Sequence, residues 1–161
     1  MKIFPKDKKL EARFLAGKAP EPETMLGTEG APAKMRVRML TGPIPNMGRW
    51  PFYHRKEFAS EGKEICGGNV FTLGGLFVTV FFLALWFFGF DGRWGAFRLE
   101  KREGYLLINY AVPENGWLTK RIRDHIRTTD DPDVFIGKFH WVWRGREIFL
   151  GYFTLTRIKA E

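Results

Sequence analysis

VFTLGGLFVTVFFLALWFFGF, residues 70–90, is a run of 21 residues without a single charge, and its only polar side chains are Thr72 and Thr79. At 1.5 Å per residue a helix of this length covers about 30 Å, the hydrocarbon thickness of a bilayer. No ionisable group is present to penalise burial there. The stretch therefore predicts one transmembrane α-helix, and the fold class expected is a single-span membrane protein. The chain divides accordingly into an extended basic N-terminal tail (1–69), the transmembrane helix (70–90) and a small β-rich extramembrane domain (91–161).

Within the stretch, Thr72, Gly75 and Thr79 are spaced three and four apart and share one helical face. Small residues at this spacing let a second helix approach closely, so these three are the expected helix-packing residues. Aromatic side chains cluster at both ends. Trp50, Phe52 and Tyr53 stand beside His54, Arg55 and Lys56 on one side, with Trp86 and Trp94 on the other. Aromatic and basic residues next to an apolar run are the usual membrane-interface anchor. No histidine lies in the run to ligate a haem or chlorophyll axially. No covalently bound cofactor is expected, only peripheral contact with lipid or pigment.

Net charge is +8 over 161 residues. The flanking parts are both basic, with 13 Lys and Arg against 8 Asp and Glu before the stretch and 13 against 10 after it. Beside a membrane such a balance favours anionic lipid or acidic protein partners. The aromatic–basic segment also suits single-stranded nucleic acid in composition. It has no nucleic-acid motif, and no nucleic-acid partner is expected. Cys66 is the only cysteine, which excludes an intramolecular disulfide and a cysteine-built zinc cluster. Its place just before the run fits an acylation site or a plain small residue. The first 30 residues are charged and broken by proline, so no signal peptide is expected and the run serves as its own insertion signal. The N-terminus is expected on the cytoplasmic side.

Along the tail, residues 4–17 have weak helical character, with Leu10 and Phe14 on one side. They form a short basic amphipathic helix or a fraying terminus. Residues 17–34 carry prolines 20, 22 and 32 and read as a linker. Met35, Val37 and Met39 alternate with Arg36 and Arg38, a strand pattern that would pair with something else.

Beyond the run the expected order is strand, strand, helix, strand, strand in an antiparallel sheet, a small α+β domain. The first hairpin spans 97–112, with Leu106, Ile108, Tyr110 and Val112 as its core face. WLTKRIRDHIRTT, 117–129, repeats Leu118, Ile122 and Ile126 every four residues and reads as a helix. Segments 133–143 and 147–158 are the clearest strands, joined by a tight turn.

Catalytic and metal-ligating patterns are weak. His125 and His140 fall on different elements without motif spacing, so no catalytic or metal residue is assigned. Arg123, Arg127, Trp117, Trp141 and Trp143 are the expected contacts to a partner or lipid. Gly92-Arg93-Trp94 resembles the Gly-x-Trp that opens lipocalin strands, although only four strands follow it. In layout alone, tail, span and β-rich domain look like the H subunit of photosynthetic reaction centres. Neither likeness transfers a residue role. The expected function is a non-catalytic accessory subunit of a larger membrane protein complex, photosynthetic or respiratory in setting, contacting other membrane subunits and lipids. The alternatives are a membrane-tethered carrier of a lipid or other apolar ligand and, below it, a tethered enzyme using His125 or His140.

Overall fold

The computed structural model describes residues 5–27, 32–42, 53–62, 64–72 and 93–158. Eight strands form a closed antiparallel barrel in which each pairs with its sequence neighbour. They are β1 (Ala33–Met39), β2 (Tyr53–Glu61), β3 (Glu64–Thr72), β4 (Arg93–Arg102), β5 (Tyr105–Asn109), β6 (Ile122–Thr128), β7 (Val134–Trp143) and β8 (Arg146–Arg157). Closure falls on β1, where Met35 pairs with Lys56 of β2 and with Arg157 of β8. The sheet therefore has no free edge to template aggregation.

The single-span reading is overturned by the register. Val70, Phe71 and Thr72 belong to β3, and Val70 is the pairing partner of Arg93 on β4. A helix over 70–90 would put its far end about 30 Å from Val70. The three residues from Phe90 to Arg93 reach back only about 11 Å. One crossing helix is thus incompatible with the paired strands. Among the described residues no helix is long and apolar enough to cross a membrane. Residues 73–92, with Gly75, Thr79 and Trp86, lie outside the described residues.

The expected helix over 117–129 is also corrected. A 3-10 turn covers Thr119–Arg121, and Ile122–Thr128 is strand β6. Nor is the tail an extended arm, because it supplies β1, β2 and most of β3. Val37 is buried in this chain's own barrel and not against a second chain. Strands β7 and β8 fall where expected. Their two-residue turn puts Arg144 and Gly145 at φ 51° and 74°, the left-handed pair that a tight hairpin requires.

The barrel is filled. Met35, Phe58, Leu106, Ile126, Phe135 and Leu155 are among the buried residues of one continuous cluster. Each contributes about 1.5–3 kcal/mol by leaving water. Gly137 has no side chain for a steric reason, since a Cβ there would sit 2.3 Å from the Phe153 ring. One end is capped by a 3-10 turn, Pro22–Met25, whose Met25 is fully buried against that cluster.

Helix α1 (Lys8–Ala16) lies on the outer wall. Asp7 caps it, accepting from the amides of Lys9 at 2.9 Å and Leu10 at 3.0 Å, which satisfies two of its free N–H groups. Phe14 packs with Ile136 and Tyr152. Glu11 accepts from Lys138 Nζ at 2.9 Å and from the Tyr152 hydroxyl. The amphipathic face expected at Leu10 and Phe14 thus docks on the chain's own barrel.

Candidate functional site

Three features carry chemistry: one rim, one cluster on the outer wall, and one network inside. The rim follows from topology. Strands β1, β3, β5 and β7 all end at the same end of the barrel, and β2, β4, β6 and β8 begin there. The described connections 110–121 and 144–145 therefore share that end. Large apolar side chains are exposed there: Trp117 is 67% exposed and Leu118 50%, and Trp143, the last residue of β7, 49%. Arg121 lies between the two indoles, its guanidinium 5.6 Å from Trp117 and 5.3 Å from Trp143. It also donates to the Val142 carbonyl at 3.2 Å. Lys120, Arg144 and Arg146 add positive charge around it.

On the outer wall, β6 and β7 bring two histidines together, and β8 adds a carboxylate. The His125 and His140 rings lie 4.2 Å apart between centroids. Tyr105 stacks on the other face of His125 at 4.0 Å and 17°. His125 Nε2 stands 3.0 Å from Glu147 Oε2, yet it lacks hydrogen-bond geometry to any acceptor, as does the buried Nδ1 of His140. One ligand atom from each of the three residues falls within 4.8 Å of the others. Burial, reinforced by His140, Lys138 and Arg123, pushes His125 down to about 3. Burial and Lys138 push His140 down to about 4. Both imidazoles are therefore neutral at neutral pH. Burial raises the Glu147 carboxyl, with Arg123 opposing.

Inside the barrel, toward the same rim, Lys56 of β2 is 3% exposed and Asp124 of β6 also 3%. Lys56 Nζ donates to Asn69 Oδ1 at 2.7 Å and to the Tyr110 hydroxyl, and lies 3.3 Å from Asp124 Oδ2. The Tyr110 hydroxyl donates to that same oxygen at 3.1 Å. Burial pushes Lys56 down and Asp124 up, and the ion pair opposes both shifts. Asp124 Oδ1 has no hydrogen-bond partner among the described residues. Enclosed on all sides, this network orders the core: each strand contributing to it has a polar residue where an apolar one would otherwise point inward.

The residues expected from the sequence are scattered by comparison. Trp117 and Trp143 share the rim, while Trp141 is half-buried and packs on the core. Arg123 is not on a helix face. It sits on β6 and donates to the carbonyls of Lys120 at 2.8 Å and Ile122 at 2.6 Å. Arg127 donates to the carbonyls of Leu15 at 3.1 Å and Gly17 at 3.3 Å, holding the end of α1. Tyr53, Thr72 and Trp94 are strand residues of β2, β3 and β4. Trp50 and Phe52 lie outside the described residues. Cys66 sits on β3, half-buried, with burial and then Glu61 pushing its thiol up. Sequence reasoning missed Lys56, Asp124, Tyr105 and Glu147. Strand alternation through 122–128 was the available signal, since it sends His125 to one face and Asp124 to the other.

No protein-family model, no curated protein and no solved structure matches this chain. The functional reading rests on the rim, the wall and the interior alone.

Proposed function

We infer that this protein is a non-catalytic accessory subunit that rests one rim of its barrel on a membrane surface and there holds neighbouring membrane proteins. The observation that carries this reading is the convergence of apolar chain at a single end. Val70 and Arg93 are pairing partners near the rim, so the described chain on either side of residues 73–92 meets the barrel there. Trp117, Leu118 and Trp143 are exposed at that same end, interleaved with Lys120, Arg121, Arg144 and Arg146. Aromatic rings with basic neighbours suit the headgroup layer, each basic residue adding about 1 kcal/mol near anionic lipid.

The barrel wall itself belongs in water. Lys34, Arg36 and Arg38 alternate outward on β1, and Arg123, His125 and Arg127 on β6. A cation facing lipid near the midplane costs about 2–4 kcal/mol. A groove of about 670 Å³ over β2–β4 would be the place for an apolar ligand, but Glu57, Glu61 and Glu114 line it, and the barrel interior is packed. The accessory reading is therefore favoured over the carrier.

The test uses tags at both termini of the full chain in sealed vesicles. Helix α1 and β8 belong to one barrel, so a protease added on one side should reach both tags. Native mass spectrometry after mild detergent extraction should then show co-purifying membrane proteins. Tags protected on opposite sides, or a monomer without partners, would sink the proposal.

A further inference from the structure

We propose that His125, His140 and Glu147 form a binding site for a divalent transition-metal cation of the zinc type, on the outer wall of the barrel. Two imidazoles and one carboxylate are a donor set that zinc accepts, with water completing a tetrahedron. The three residues come from three adjacent strands, β6, β7 and β8, so backbone pairing and not loop conformation holds them. Their donor atoms already lie within 4.8 Å of one another. Small side-chain rotations would bring them to the roughly 3.3 Å separation that bonds of about 2.0–2.1 Å imply.

Independent of this proximity, two ring nitrogens are left without partners. His140 is 9% exposed and its Nδ1 has no hydrogen-bond partner among the described residues; nor does Nε2 of His125, although it stands 3.0 Å from Glu147 Oε2. A buried nitrogen without a hydrogen-bond partner is destabilising, and a metal bond would satisfy it. Neutral imidazole is the form that ligates. Tyr105 on one side and Phe149 on the other, 5.9 Å from His140, fix the ring planes as outer-shell groups do in metal sites. The Glu147 side chain is 39% exposed and borders a cleft of about 570 Å³ that also includes Trp143 and Arg146, so an ion has a path in. The nearby cations are already engaged: Lys138 with Glu11, and Arg123 with the carbonyls of Lys120 and Ile122. They oppose a cation by charge, and the donor set must outweigh them.

Zinc(II) titrated into the full chain against a chromophoric chelator tests the site. One equivalent should bind. Glu147→Gln, at a half-exposed position, and His125→Gln should each weaken it at least about tenfold, with circular dichroism verifying that both variants keep the barrel. Zinc should raise the melting temperature of the wild type and not that of Glu147→Gln. Failure of the wild type to take up zinc overturns the proposal, as does equal affinity in wild type and the folded Glu147→Gln variant.

Discussion

The two ends of this barrel are closed by opposite means. At one end lie short turns and the 3-10 segment Pro22–Met25, whose Met25 is fully buried as an apolar plug in the core cluster. Toward the other, the interior ends in a charged network, Lys56 with Asp124, Tyr110 and Asn69, and the exposed Trp117 and Trp143 gather at the rim. One end is finished within the chain. The other places large apolar side chains outside and charge inside, the reverse of the plugged end.

The sharpest way to break this contrast is to remove the interior charge. Lys56→Met leaves Asp124 buried and unpaired, and should cost about 3–5 kcal/mol in denaturant unfolding. Adding Asp124→Leu should recover most of that, since an apolar pair of similar volume is often neutral. If Lys56→Met is harmless, the charge pair does not order that half of the barrel. At the plugged end, Met25→Ala should cost about 2–3 kcal/mol by opening a cavity, and should leave vesicle binding unchanged. A loss of vesicle binding in Met25→Ala would erase the functional difference between the ends.

That same interior charge explains what the sequence concealed. Leu118, Ile122 and Ile126 recur every fourth residue, a spacing that fits a helical face and equally one face of a strand. Had position 124 been apolar, the alternation Ile122, 124, Ile126 would have declared a strand. Asp124 is there because Lys56 lies across the barrel, 68 positions away, and no local pattern reports such a partner. Lys56 likewise breaks the alternation that would have marked β2. Where inward residues are uniformly apolar, at Leu106, Ile108, Tyr110 and Val112, the face was legible and all four are buried. The stretch 70–90 misled for a different reason. Its composition speaks for an apolar environment, but the pairing of Val70 with Arg93 is a long-range fact that excludes one crossing. The histidine cluster was half legible, because both histidines are visible while the register that adds Glu147 and Tyr105 is not.

The wall between the two ends supplies a third point of comparison. Burial alone would raise the Glu11 carboxyl, but hydrogen bonds from Tyr152 and Lys138 outweigh it and bring it from 4.5 to about 2. A group whose folded value is depressed stabilises fully above its unfolded value and loses that contribution as pH falls through the folded one. Glu11→Gln should therefore cost about 1 kcal/mol near pH 7, discounted for partial exposure. The gap to wild type should narrow between pH 4.5 and 2. A gap that stays constant over this window would show that the Glu11 carboxylate does not help hold α1, leaving that to Phe14 and Arg127.

The smallest stability effect belongs to the open rim, where the proposed membrane contact lies. Trp117 and Trp143 are 67% and 49% exposed, so their truncation removes little buried area. The double variant Trp117→Ser, Trp143→Ser should change unfolding free energy by less than about 0.5 kcal/mol, as surface substitutions do. Binding is a different matter, because under the proposed function the indoles and the arginine between them would meet the headgroup layer as one unit. Co-sedimentation with vesicles rich in anionic lipid should fall several-fold in the double variant. It should fall further in wild type when salt is raised, since the basic contribution decays within a Debye length. Lys120→Ala with Arg144→Ala should reproduce the salt-sensitive part and leave the rest. If the tryptophan variant sediments like wild type with its stability intact, the rim's exposed aromatics are not a membrane contact, and the asymmetry of the two ends concerns folding only.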